Sequence, residues 1–162
     1  MLQEARTYKK DMENKKALTL RKMFRYLMEN GYEPAFENTH ILFDVGNNTV
    51  VMEYDEGYIS LRMFFSIEED EYLNFLEGSN SCMQSVFMVR PVVLDDRKTI
   101  MFSCENICDS MKDMEKAFPK MLEALQEGIK MHKFLMNLLL RKSFIEQDTS
   151  EYCGNNRTAK YS

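Results

Sequence analysis

The cysteines are the residues whose chemistry could bind a metal or exchange electrons, but their spacing suits neither task. Cys104 and Cys108 enclose three residues, whereas the redox dithiol motif encloses two. A structural zinc site needs four ligands, and the remaining candidates lie far apart along the chain: Cys82, Cys153, His40 and His132. We therefore interpret the cysteines as ordinary buried or half-buried thiols, and we predict neither a metal site nor a bound cofactor.

The two histidines could act in acid–base catalysis, yet the sequence supplies no partner for either of them. His40 begins a predicted strand, and His132 lies on the apolar side of the last predicted helix. No acidic residue is placed to form a recognisable dyad, and no Gly-x-Ser-x-Gly nucleophile motif occurs. The six glycines form no phosphate-binding loop. We interpret both histidines as core or interface residues, and we predict no catalytic residues and no enzymatic activity.

An acidic run, Glu68-Glu69-Asp70-Glu71, has the charge to attract a cation. Its spacing does not match a calcium-binding loop. Ser66 and Glu69 instead fit the capping box that begins a helix, and carboxylates at a helix N-terminus stabilise it by about 0.3–1 kcal/mol each. We interpret the run as the solvated start of a helix.

The end of the last predicted helix is the strongest functional signal in the sequence. From residue 131 onward, apolar residues cover more than one face of this helix, and such a helix must be covered by something. Either the first helix of the chain covers it, or it forms a dimer seam or a groove for a partner. For the second alternative, the candidate surface residues are Phe134, Leu135, Leu138 and Leu139.

The composition indicates one globular domain and argues against several classes of partner. The chain has 162 residues, 44% of them hydrophobic, and a formal net charge of −5. Nucleic acid is not an expected partner because no basic patch is concentrated along the sequence. No segment supplies the roughly 20 apolar residues that cross a membrane, and the N-terminus has no apolar signal region. We therefore expect a cytoplasmic protein with reduced cysteines. The 14 methionines suit an irregular core and also adaptable binding surfaces.

The periodicity of the apolar residues predicts a helix followed by a meander of strands. Helical spacing covers residues 15–30, and Gly31 can close that helix, with Tyr32 folding back onto its last turn. From residue 33 the period becomes two, which is typical of strands. The turns between the strands are short, so neighbouring strands run antiparallel. The predicted strands lie near residues 34–36, 41–45, 50–54 and 59–65.

A short helix and two more strands are predicted to follow the meander. The short helix stops near Gly78, and residues 79–81 form a loop. The two strands lie near residues 86–93 and 99–104. Because proline cannot donate to a strand ladder, Pro91 places part of the first strand on an edge or at a bulge.

Pro119 interrupts the helical pattern that occupies the last third of the chain. The helix either kinks there or divides, and we prefer a short helix that ends near Lys116 and a second that begins at Pro119. The predicted organisation is a flexible lead-in of residues 1–14, a single α+β domain of residues 15–143, and a polar mobile tail of residues 144–162.

This order of elements resembles the YbjN-like family, whose domains share an α+β fold with the chaperones of type III secretion systems. The resemblance covers about residues 15–140, and the most similar stretches are residues 20–31 leading into Tyr32-Glu33-Pro34, the turn Asp55-Glu56-Gly57, and residues 118–125. It implies a non-enzymatic fold, often dimeric, that uses a sheet face or a helix face to hold another polypeptide. The family offers no established catalytic residues to transfer.

We therefore expect an α+β domain in which helices pack on one face of an antiparallel sheet, in the order α-β(3-4)-α-β2-α. The first functional hypothesis is a non-enzymatic, chaperone-like protein-binding or regulatory domain, homodimeric, whose partner is another polypeptide or a second copy. The alternative is a small-ligand sensory domain with a pocket between the sheet and the long last helix. In that pocket, His132 and tyrosines would supply the polar groups.

Overall fold

The computed structural model describes residues 18–86 and 88–155, with side chains as far as residue 142. Within that part, the helices are α1 (Leu20–Glu29), α2 (Tyr72–Ser85) and α3 (Met111–Asn155). The strands are β1 (Ala35–Glu37), β2 (His40–Val45), β3 (Asn48–Asp55), β4 (Tyr58–Ser66), β5 (Val89–Val93) and β6 (Thr99–Ile107). A short 3₁₀ turn, Glu69–Glu71, precedes α2.

All the strands join one antiparallel sheet in the order β1-β2-β3-β4-β6-β5. Tight turns at Gly46 and Gly57 connect β2 to β3 and β3 to β4, and these glycines have φ of +61° and +89°. β4 and β6 pair from end to end, although α2 and β5 lie between them in the sequence. The α+β class and the antiparallel sheet are thereby confirmed.

The core lies between one face of the sheet and the helices. Buried strand residues alternate with more exposed ones, as side chains on a pleated strand must. The sheet contributes Ile41, Phe43, Val50, Met52, Ile59, Leu61, Met63, Ile100 and Phe102. The helices contribute Met23, Leu27, Met114, Phe118, Met121 and Leu125.

α1 has the closure that the sequence predicts. Gly31 takes a φ of +83°, and the backbone N–H of Tyr32 donates to the carbonyl of Leu27 at 3.0 Å. The ring of Tyr32 then lies against Phe43 and Phe118, with centroid distances of 5.2 and 5.9 Å. The predicted start of this helix, at residues 15–17, lies outside the described part of the chain.

The prediction that the short helix ends near Gly78 is wrong, because α2 continues to Ser85 and the expected loop at residues 79–81 is helical. The small residues there face α3 at close range. A Cβ on Gly78 would lie 2.7 Å from Sδ of Met136, and Cys82 Sγ lies 3.6 Å from the carbonyl oxygen of Gly128. The glycine lets the two helices approach closely, so here it marks a helix contact rather than a helix end.

The predicted capping box is also wrong. Ser66 ends β4, and the 3₁₀ turn after it has Glu68 at its N-cap with no side-chain capping hydrogen bond. The backbone N–H of Ile67 instead donates to the carbonyl of Lys98 at 2.8 Å, which extends the β4–β6 pairing by one residue. Sheet pairing therefore keeps Ser66 out of the helix start that its sequence motif would favour.

The long helix is continuous, so the predicted division at Pro119 is wrong as well. Ser110 caps its start: the hydroxyl accepts from the N–H of Asp113 at 3.2 Å and donates to the carboxylate of the same residue at 2.6 Å. Phe118 and Met121, on either side of the proline, are both buried in the core. Tertiary packing stabilises helices more than propensity does, and it holds these turns in place despite the missing donor. The helix also continues into residues 144–155, which the sequence assigns to the tail.

Candidate functional site

The second half of α3 has two apolar sides that point in different directions. One side packs in the core through Leu125, Ile129, His132 and Met136, with spacings of four, three and four residues. The other side carries Met131, Phe134 and Leu138, which are 37%, 58% and 42% exposed. At about 100° per residue, these three lie on the side of the helix away from the sheet. We call them the outer stripe.

Two of the four predicted partner residues, Phe134 and Leu138, belong to the outer stripe. The other two, Leu135 and Leu139, are half-buried and lie between the outer stripe and the core side of the helix. α1 is located elsewhere: its Tyr26 ring contacts Phe118 at 5.7 Å, about four helical turns before Phe134. The sequence analysis missed Met131, although its spacing from Phe134 and Leu138, three and then four residues, repeats the seam spacing of a coiled coil.

A cavity of about 400 Å³ lies between the sheet, α2 and α3. This is the region where the ligand-sensor hypothesis places a pocket. Strands β4 and β6 supply one wall, α2 supplies Phe75, and α3 closes the other side. The lining residues that the argument uses are Phe65, Phe75, Ile100, Phe102, His132 and Lys133.

His132 is a buried polar residue in the wall of the cavity. It is 2% exposed, and its Nε2 lies 3.3 Å from Oγ of Ser79. Its ring stacks on Phe75 at 5.6 Å and meets Phe102 edge-on at 5.1 Å. Burial lowers the pKa of His132, and a hydrogen bond with the backbone of Phe75 only partly opposes that shift. His132 is therefore a neutral wall residue, and none of the described residues that line the cavity with it is a tyrosine.

The cysteines with described side chains are buried and protonated. Desolvation raises the pKa of Cys104 to about 11, with a smaller contribution from the nearby Glu105. Burial also raises the pKa of Cys82 and of Cys108. Such thiols are poor nucleophiles, since the thiolate is the reactive form. In the described part of the chain, no three His, Cys, Asp or Glu residues are grouped as metal ligands would be.

The face of the sheet opposite the core carries ion pairs and also a row of apolar residues, since Met101 pairs with Phe64 on one side and Val92 on the other. Arg62 lies 2.9 Å from Glu53, and Arg90 pairs with Glu105 across β5 and β6. These pairs are partly exposed and stabilise the fold little. The acidic run of residues 68–71 also lies at the surface, where the carboxylate of Glu69 is 3.5 Å from the ammonium group of Lys98.

No protein-family model matches the sequence, and no curated protein matches it either. Among the described helices, none combines the length and apolar content needed to cross a bilayer. The chain does match solved structures, and that similarity is one of fold.

Two solved structures have a similar fold. The structure of YbjN from E. coli, described there as a candidate transcription regulator, superposes with a TM-score of 0.60 at 10% identity and covers 77% of this chain and 94% of its own. An uncharacterized protein from Methanothermobacter thermautotrophicus superposes with a TM-score of 0.53 at 8% identity, covering 74% of this chain and 97% of its own. The resemblance drawn from the element order is thus confirmed at the level of architecture: the chain has the YbjN fold.

Proposed function

We propose that this chain is a cytoplasmic, non-enzymatic protein-binding domain of the regulatory or chaperone-like kind, and that two copies pair through the outer stripe of α3. The observation that carries the proposal is the exposure of Phe134 and Leu138 on one side of a regular helix. Large apolar side chains that are grouped, and not scattered singly, are typical of interaction surfaces. Aromatic and methionine side chains are enriched in such surfaces.

The geometry of the outer stripe favours a helix as its partner. Met131, Phe134 and Leu138 are separated by three and four residues, so they form a narrow seam along the helix. Leu135 and Leu139 flank the seam on one side and add apolar area to it. On the other side lies Lys130, whose ammonium group is 2.7 Å from the carboxylate of Glu127 one turn earlier in the same helix.

The length of α3 makes the seam accessible. Among its residues with described side chains, the last buried one is Met136, and the helix continues to Asn155, about 28 Å further at 1.5 Å per residue. A helix in a protein gains most of its stability from packing against other elements. The same helix of a second copy has both the length and the complementary apolar stripe.

The fold supports a regulatory role without specifying it. YbjN, which shares the fold, is described as a candidate transcription regulator, and that description offers a hypothesis for this chain. Protonated, buried cysteines agree with a reducing compartment such as the cytoplasm.

The substitution Leu138→Asp tests the proposal. A charge in the seam costs several kcal/mol when it is buried unpaired, so the dimer should dissociate while the monomer stays folded. The matched control is Leu73→Asp on α2, because Leu73 is 73% exposed and lies off the seam. Sedimentation velocity measures the association state, and far-ultraviolet circular dichroism measures the fold. The proposal would be contradicted by a wild-type protein that is monomeric at about 0.1 mM, a concentration at which even weak dimers form. A Leu138→Asp variant that remains dimeric would contradict it too.

A further inference from the structure

The cavity beside α3 has a hydrocarbon interior. Phe65 and Phe102 from the sheet meet edge to face at 5.8 Å and 81°, and Phe75 from α2 also lines the cavity. Ile100 and Ile129 complete the walls. A volume of about 400 Å³ lies within the range of roughly 300–1,000 Å³ that small-molecule sites occupy.

The deep end of the cavity offers no free polar group to a ligand. His132 reaches it, but its Nε2 lies within hydrogen-bond distance of Ser79 and its ring also bonds to the backbone of Phe75. The imidazole therefore presents its ring to the cavity. A polar ligand group placed there would lose its hydration without gaining a partner, at a cost of about 1–3 kcal/mol.

The mouth of the cavity is polar, unlike its interior. Lys133 and Asn137, one turn apart on the exposed side of α3, line it together with Ser66 at the end of β4. No acidic residue is among the described residues that line the cavity. The nearby Lys130 lies outside the lining, and its charge is matched by Glu127. The mouth therefore combines one positive charge with neutral hydrogen-bonding groups.

From this polarity we propose that the cavity binds a small amphipathic anion, with a hydrocarbon chain or ring inside and a single carboxylate at the mouth beside Lys133. The aromatic and aliphatic walls hold the apolar part, and the ammonium group of Lys133 holds the carboxylate. The site is independent of the pairing of α3, because the outer stripe lies on the other side of the helix.

Isothermal titration of the full-length protein with straight-chain carboxylates tests the site. Hexanoate, octanoate and decanoate should bind once per chain, and each added methylene should tighten binding about fourfold, which corresponds to about 0.8 kcal/mol per buried CH₂. Acetate should not bind measurably. Decanol, which has the same chain without the charge, should bind more weakly than decanoate. Absence of saturable decanoate binding at millimolar concentration would overturn the proposal.

Two matched substitutions locate the head group. Lys133→Gln should weaken decanoate binding about fivefold, the upper range for an exposed charge pair, and should leave decanol binding unchanged. Lys130→Gln removes the same charge one turn earlier and should change neither. Equal affinities of the Lys133→Gln variant and the wild type for decanoate would overturn the assignment of the carboxylate.

A third variant separates the cavity from the outer stripe. Leu138→Asp should bind decanoate with the wild-type affinity, since Leu138 does not line the cavity. Loss of decanoate binding in this variant would place the ligand on the stripe and overturn the cavity site. Asn137→Trp supplies a fluorescence probe at the mouth, because the natural chain has no tryptophan. Its fluorescence should change on titration with decanoate, and constant fluorescence would overturn the placement of the ligand at the mouth.

Discussion

The contact between α3 and β5 depends on the absence of a side chain at Gly128, and Gly128→Ala measures how tightly that contact is packed. A Cβ at this position would lie 2.7 Å from Cγ1, 3.0 Å from Cβ and 3.1 Å from Cγ2 of Val89. Val89 is buried, and as a β-branched residue it has restricted rotation about χ1. The clash therefore involves atoms close to the β5 backbone, so the strand itself must move away from the helix.

The magnitude follows from two opposing effects. Overpacking a core contact costs about 1–3 kcal/mol, whereas replacing glycine by alanine inside a helix gains up to about 1 kcal/mol. At Gly128 we expect the first effect to dominate, with a net loss of about 1 kcal/mol in the free energy of unfolding. At Gly78 the same substitution meets Sδ of Met136 at 2.7 Å. That atom is the end of a flexible side chain that fills irregular gaps, so Gly78→Ala should be close to neutral.

Urea unfolding followed by circular dichroism at 222 nm measures both variants, since the chain has no tryptophan for fluorescence. Gly128→Ala should have the lower unfolding midpoint, with a difference of about 1–2 kcal/mol between the two variants. If Gly128→Ala equals or exceeds the stability of Gly78→Ala, the strand β5 is free to move and the reasoning from close packing fails.

Two further substitutions test the helix interior and the buried histidine. Pro119→Ala restores a backbone donor at an exposed helix position, so the free energy of unfolding should rise by about 2 kcal/mol, from about 3 kcal/mol of helix propensity less the chain entropy regained on unfolding. Lys120→Ala is its control, and a destabilised Pro119→Ala variant would mean that the packing of Phe118 requires the proline. Burial holds the pKa of His132 in the folded protein below its ordinary value of 6.5, so on acidification the unfolded chain binds a proton at this residue before the folded protein does. Stability should therefore fall as the pH drops through 6.5 towards the lower folded pKa. Urea midpoints at several pH values should show this loss in the wild type and in His40→Gln, and a smaller loss in His132→Gln. An unchanged loss in His132→Gln would contradict the assignment.

Much of the fold could be predicted because its determinants are local. The alternation of Ile41 and Phe43 with polar or half-exposed neighbours depends only on strand geometry, and the closure of α1 depends only on Gly31 and the residue after it. Short turns at Gly46 and Gly57 then force antiparallel neighbours. From these features the class, the strand order of the meander and the one-sided core could all be predicted.

The errors arose where a local signal met a tertiary contact. Gly78 is a typical helix end by sequence, yet in the structure it makes room for Met136 and the helix continues. Ser66 has a capping motif, but pairing between β4 and β6 holds it in the sheet. Pro119 removes one backbone hydrogen bond, whereas burial of Phe118 and Met121 stabilises the turns around it. In each case the packing of several side chains outweighed a preference of one residue.

The outer stripe and the cavity also differ in how much of each the sequence could predict. The sequence by itself determined that the end of α3 has more apolar residues than one face can bury, because helical periodicity is a property of the chain. Which of them are exposed was decided by the sheet, which covers His132 and Met136 and leaves Phe134 and Leu138 on the other side. The cavity was decided by tertiary structure entirely: Phe65, Phe75 and Phe102 come from three separate elements, and only the pairing of β4 with β6 and the packing of α2 on α3 bring their rings together.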